Sequence, residues 1–167
     1  ARLPWLVLAL FGGFISVHVL GIFEPVMKFH PELFFFTPLI AAMAGNVGVQ
    51  SSAIIVQGSA NNTIIGPVVE RLLKELSLSL LNGVILSIIL LAGSYFLLGY
   101  EIHVGYTVSI ALLSVIIMAS LIGTFIPIIL NKYGVDPALA TGPFITTSND
   151  ILGILTYFTI AKIILGI

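Results

Sequence analysis

Five long apolar blocks, roughly 3–23, 33–60, 76–99, 104–130 and 138–167, make up most of this 167-residue chain, and its few charges fall largely between them. A helix needs about 20 apolar residues to cross the hydrocarbon core of a bilayer, and each block has about that length. None shows the two-residue alternation of a barrel strand, and all are too long to be one. Backbone in lipid must satisfy its own hydrogen bonds, so helices are the remaining solution. Charge decides the solvent. Only 8% of the residues are charged, against about 25% in a soluble domain. The expected fold is all-α: a polytopic membrane protein with five transmembrane helices. The first block does not read as a signal peptide, because its charged start is the single Arg2 and no small-residue cleavage site precedes Glu24.

The chain contains no cysteine, which excludes disulfides and thiolate metal sites. A net charge of −1 without any basic run argues against nucleic acid as a partner. The chain opens at "ARLPW" with no Met, and the expectation is a membrane domain of a longer protein.

Six Lys and Arg orient the spans. Arg2, Arg71, Lys74 and Lys132 collect on one side, and Lys28 and Lys162 on the other. The positive-inside rule then predicts a cytoplasmic N-terminus and an outer C-terminus. Trp5, Tyr100, Tyr106 and Tyr133 lie near block ends, where amphipathic rings prefer the headgroup region. "EPVMKFHPE" reads as a Pro-punctuated outer loop. "NKYGVDPALA" supplies a stop at Gly134 and a helix start at Asp136-Pro137. "GPVVERLLKEL" reads as an amphipathic cytoplasmic elbow entering the third span, with Glu70, Arg71, Lys74 and Glu75 off its apolar stripe.

Two blocks break the rules of lipid-facing helices. In the second, Ala41, Gly45, Gly48 and Ser52 fall on one narrow face, and Asn46 and Gln50 lie one turn apart beside it. Small residues at that spacing let another backbone approach closely. The pattern fits tight packing with amide cross-links, and it equally fits a wall of exposed carbonyls along a water-filled path.

In the fifth block, Pro143, Thr146, Asp150, Gly153 and Tyr157 share a face, with Thr147 about 60° away. By the block boundaries Asp150 is the one acid well inside a span, since Glu24, Glu32, Glu70, Glu75, Glu101 and Asp136 lie at or near ends. An acid at mid-membrane costs roughly 3 kcal/mol, and no Lys or Arg lies at its depth. A carboxylate facing water and a mobile cation accounts for it. A protonated Asp150 bonded to Asn or Ser is the alternative.

The oxygen donors around it suit hard ions such as Mg²⁺, Ca²⁺ or Mn²⁺. One carboxylate per chain does not make a dehydrating cage, whereas Mg²⁺ is commonly held with its waters by one or two carboxylates. A symmetric dimer would supply two. His18 reads as a packed neutral side chain and His30 and His103 as solvated. Glu24, Glu32 and Glu101 form either an outer acidic vestibule or ordinary loop charges.

"AGNVGVQSSAIIVQGSA", "GVDPALATGPFITTSNDILGILTYF" and "RLPWL" resemble the membrane domain of MgtE-type magnesium transporters, in order and through essentially the whole chain. The resemblance implies a homodimeric Mg²⁺ channel in a bacterial inner membrane. Its pore would lie at the dimer interface, lined by residues 41–53 and 142–157 of both subunits. It implies that Asp150 holds a hydrated Mg²⁺ together with span-two carbonyls around Ala42, Gly45 and Val49, and with Asn46 and Asn149. Ala41, Gly48, Ser52, Ala53, Gly142, Thr146 and Gly153 would line the path.

Some members carry polar side chains at the places of Val49, Ala53 and Gly142, where only carbonyls are on offer here. The resemblance also implies cytosolic N-terminal and CBS gating domains in the full-length protein. A Na⁺- or H⁺-coupled exchanger is the alternative transport mode. An aspartyl protease is disfavoured, because no Gly-x-Gly-Asp motif or second mid-span acid is evident.

Overall fold

The structure is a computed structural model, and it describes residues 3–61, 67–134 and 142–166. Its elements are α1 (Leu3–Ile22), α2 (Glu24–Phe29), α3 (Glu32–Ala60), α4 (Val68–Ala92), α5 (Ile102–Lys132) and α6 (Pro143–Leu165). A five-residue π-helical turn, Gly93–Leu97, continues α4. The described residues contain no strand. Among the described residues, four helices are long and apolar enough to cross a membrane: α3, α4 with its π turn, α5 and α6. α1 adds a shorter apolar stretch, Leu6–Ile22. The chain is an all-α polytopic membrane domain.

α5 is the axis of the bundle. It packs against α3, α4 and α6, and α6 carries α1 on its other side. The core holds Ile40 from α3, Val108, Ala111, Val115 and Ile116 from α5, and Tyr157 and Phe158 from α6. Large apolar side chains on α1 (Leu6, Leu10, Phe11, Phe14) and α4 (Leu81, Ile85, Ile88, Ile89) point outward. Water would penalise such a surface, whereas hydrocarbon does not.

In lipid, helices associate through close packing and hydrogen bonds rather than apolar burial. Both devices are present. α3 and α5 cross backbone to backbone, because a Cβ at Gly123 would overlap the Gly48 carbonyl. The Tyr157 hydroxyl donates to the Leu33 carbonyl at 2.8 Å, tying α6 to α3. Ser87 donates to the Ser109 carbonyl at 2.8 Å, tying α4 to α5. Ties of this kind average roughly 0.6 kcal/mol each in membranes.

Several sequence expectations change. "EPVMKFHPE" is largely helical, as α2, with Pro25 in its first turn and an exposed Glu24–Lys28 pair at 2.8 Å. A neighbouring ammonium holds the Glu24 carboxyl below its ordinary 4.5. The amphipathic segment that enters the third span is the start of α4 itself, which runs unbroken from Val68. His18 lies on the exposed face of α1 rather than packed. His30 and His103 are not simply solvated, since each meets a glutamate, Glu32 at 3.0 Å and Glu101 at 3.1 Å. Gly134 does stop α5, at φ 72°. Arg2, the Asp136-Pro137 start and the Trp5 side chain lie outside the described residues.

Candidate ion site

α6 begins at Pro143, whose fixed φ suits a first helical position. Gly142 caps it at φ 115°, a conformation open to glycine. The first turn closes when the Thr146 amide donates to the Gly142 carbonyl at 2.9 Å. One turn on from Thr146 comes Asp150, so both side chains leave the helix on one side. That side faces α3. Ala41, Ala42, Gly45, Asn46, Val49, Gln50, Thr146 and Asp150 enclose a cavity of about 430 Å³ that is open on one side.

Gly45 decides how near α3 comes. A Cβ there would sit 3.1 Å from Asp150 Oδ1 and 3.4 Å from Thr146 Cγ2. The missing side chain lets the α3 backbone lie beside the carboxylate. Asp150 is half-buried. No Lys, Arg or His lines the cavity, and none of the ion pairs among the described residues includes Asp150. The described residues also hold no group of three His, Asp or Glu that could cage a metal. The cavity has room for on the order of a dozen waters at about 30 Å³ each. A cation with its first hydration shell therefore fits beside one uncompensated negative charge.

A family model described as MgtE, divalent cation transporter, matches residues 37–160. The chain belongs to that family. Proteins named magnesium transporter MgtE are similar across nearly its whole length. The one from Bacillus subtilis is 40% identical over 161 residues, 96% of this chain. Those from Enterococcus faecalis and Thermus thermophilus are 35% and 32% identical, over 96% and 99% of it. The chain spans 36% of the length of each of these relatives.

In this MgtE-family chain the cavity gathers Asp150, Gly45, Ala42, Val49 and Asn46 with Ala41 and Thr146. Other residues singled out from the sequence lie elsewhere. Asn149 is fully buried, with neither amide atom hydrogen-bonded among the described residues. It presses against Gly48, so it occupies the α3–α6 contact and not the cavity. Gly48 is also the crossing point with Gly123. Ser52 is fully buried. A Cβ at Gly153 would lie 2.7 Å from Ala44 Cβ, so that residue serves helix packing. Ala53 and Gly142 are half-buried and line no part of the cavity. A helical wheel groups residues by direction, but it does not say which neighbour each level of the face will meet.

Two other polar features surround this site. On one side of α3, Ser51 and Ser120 both donate to Glu75 Oε1, the former at 2.6 Å. Glu75 is thus a bundle residue, half-buried, and not a charge on a surface elbow. Its signal was present in the sequence: Glu75, Ser79 and Asn82, at i, i+4 and i+7, make a polar stripe in an apolar block. At another place His30, Glu32, Tyr100, Glu101 and His103 line a cavity of about 380 Å³. Glu24 does not join it.

Proposed function

We propose that this chain is the ion-conducting part of a magnesium transporter, passing hydrated or partly hydrated Mg²⁺ down its gradient. The relatives' name, magnesium transporter, supports the cargo. The observation that carries the mechanism is Asp150: a carboxylate with no cationic partner, in an open cavity large enough for a hydrated ion. Asp150 supplies charge attraction through intervening water, and the α3 carbonyls beside Gly45 supply acceptors for the ion's water hydrogens. Mg²⁺ surrenders water reluctantly, so recognition through its shell avoids the largest barrier. Conduction also needs binding weak enough to release, and one carboxylate behind water meets that need.

The open side of the cavity calls for a second wall. A homodimer in which two such cavities face each other would close the path and set two Asp150 carboxylates around one ion. Residues 41–53 and 142–157 of both copies would supply that path. The chain sits in a bacterial membrane with its N-terminus in the cytoplasm. The remainder of a full-length protein, as long as these relatives, would carry the cytosolic gating domains.

The test is Mg²⁺ flux into liposomes carrying the full-length protein, with and without Asp150→Asn. The expected result is flux that needs no Na⁺ or pH gradient and that disappears in the variant while the dimer persists. Flux that survives Asp150→Asn overturns the pore. Flux that requires a Na⁺ or pH gradient replaces the channel with a coupled exchanger.

A further inference from the structure

α3 and α4 both pack on α5, and between them lies a second, smaller cavity of about 130 Å³. Its polar lining is Gln50, Ser51, Glu75, Ser79, Asn82 and Ser120. Glu75 lies about 10 Å along α4 from Val68, at 1.5 Å per residue. It directly follows Lys74, which is already engaged by the exposed Glu70 at 3.0 Å. None of the ion pairs among the described residues reaches Glu75, and no other titratable group lines the cavity.

Three helices meet at this carboxylate. Ser51 of α3 donates to Oε1 at 2.6 Å, and Ser120 of α5 donates to the same oxygen. The two hydroxyl oxygens are 3.3 Å apart. Oε2 takes no hydrogen bond from a described residue. Around it the cavity offers the hydroxyl oxygens of Ser51, Ser79 and Ser120 and the side-chain amides of Gln50 and Asn82, whose carbonyl oxygens can turn toward a cation. The negative charge is single and uncompensated, in a helix whose outer face is apolar.

We propose that Glu75 centres a second cation site, separate from that of Asp150, which takes one largely dehydrated alkali-metal cation. Size and charge select this class. About 130 Å³ holds roughly four waters, fewer than the six of a hydrated divalent ion. A bare divalent ion would face one carboxylate and keep an excess positive charge in the bilayer, which is costly. A monovalent ion cancels the carboxylate charge. Hard cations of this kind prefer carboxylate, carbonyl and hydroxyl oxygen. Gln50 lines both cavities, so the two sites share a side chain.

The experiment is binding of radioactive Na⁺ to the full-length protein in nanodiscs, free of Mg²⁺, with a bulky organic cation holding ionic strength constant. Wild type should bind one Na⁺ per chain saturably. Glu75→Gln, whose amide oxygen still accepts from both serines, should weaken binding at least tenfold. Asp150→Asn should leave it intact. Displacement by K⁺ or its absence fixes which alkali ion is preferred, and either result supports the site. No saturable binding, binding that survives Glu75→Gln, or binding lost in Asp150→Asn overturns it. So does a protonating carboxylate that binds no alkali ion, and so does a Glu75 that only ties the helices together. Should Glu75→Gln fail to fold, Ser120→Ala decides: about tenfold weaker Na⁺ binding is expected, and unchanged affinity refutes the assignment.

Discussion

Among the described residues, the carboxylates of Glu75 and Asp150 lie half-buried in cavities on either side of α3 and are held in opposite ways. Glu75 takes two serine hydroxyls on one oxygen and sits in about 130 Å³. Asp150 accepts no hydrogen bond from a described residue and faces about 430 Å³. A carboxylate tied by its own chain and hemmed in by side chains can hold an ion that has shed its water. An untied carboxylate in a wide cavity would meet an ion through water and let it go. On the two proposals above, the same residue chemistry would divide into holding and passing according to donors and space.

The sharpest way to break this contrast is to neutralise Asp150. Asp150→Asn should reduce Mg²⁺ uptake by about a hundredfold or more, because an acid kept at this depth in a membrane marks an ion pathway, as read by rescue of a Mg²⁺-starved, transporter-deficient strain. Growth at the wild-type rate would erase the difference between the two acids. Next comes the wall between them. Gly123→Ala pushes a Cβ into the Gly48 carbonyl, and should cost about 3 kcal/mol, at the upper end of overpacking. Thermal unfolding in detergent measures it, and an unchanged midpoint would mean that α3 and α5 do not cross there.

Gly45→Ala is subtler. Its Cβ would stand 3.1 Å from Asp150 Oδ1, so the carboxylate must shift by a few tenths of an ångström. Flux should fall by about tenfold with the fold intact, since small misplacements at a site are costly. Equal flux would show that α3 does not approach the ion path. Tyr157→Phe touches neither acid and removes only the bond to the Leu33 carbonyl. About 0.6 kcal/mol of stability should go with it, with flux per folded molecule unchanged.

The smallest effect belongs to the Glu24–Lys28 pair, fully exposed on α2. Because Glu24 titrates below its ordinary 4.5, its contribution is present above that pH and fades as pH falls through the lower folded value. Solvent screens such pairs, so Lys28→Ala should leave the melting temperature at pH 7 unmoved. A clear drop would reveal that α2 carries weight in the fold.

Much of this was readable in the residues, for reasons that also mark where reading fails. Spans declare themselves by length and lack of charge, so α1, α3 and α5 match their blocks within two residues. Thr146 and Asp150 share a side because helical spacing is rigid. Glu75 was hidden by its neighbours: Glu70, Arg71 and Lys74 made the segment look water-facing, and the apolar block seemed to begin one residue later. Asn149 was hidden by adjacency to Asp150. The two are 100° apart on the helix, enough to send one into the cavity and the other against Gly48. Gly123 gave no local sign, because a backbone crossing depends on a partner 75 residues away.

The contact between Gly48 and Gly123 has one more consequence. Two main chains meet there with no side chain to cushion them, a contact about which α3 would rock as on a pivot. The point divides α3 into arms of about 24 Å toward Glu32 and about 18 Å toward Ala60, at 1.5 Å per residue. Paired spin labels near those two ends should therefore report displacements of opposite sign relative to α5. α3 would then behave as a seesaw: pressing one end toward α5 lifts the other away from it.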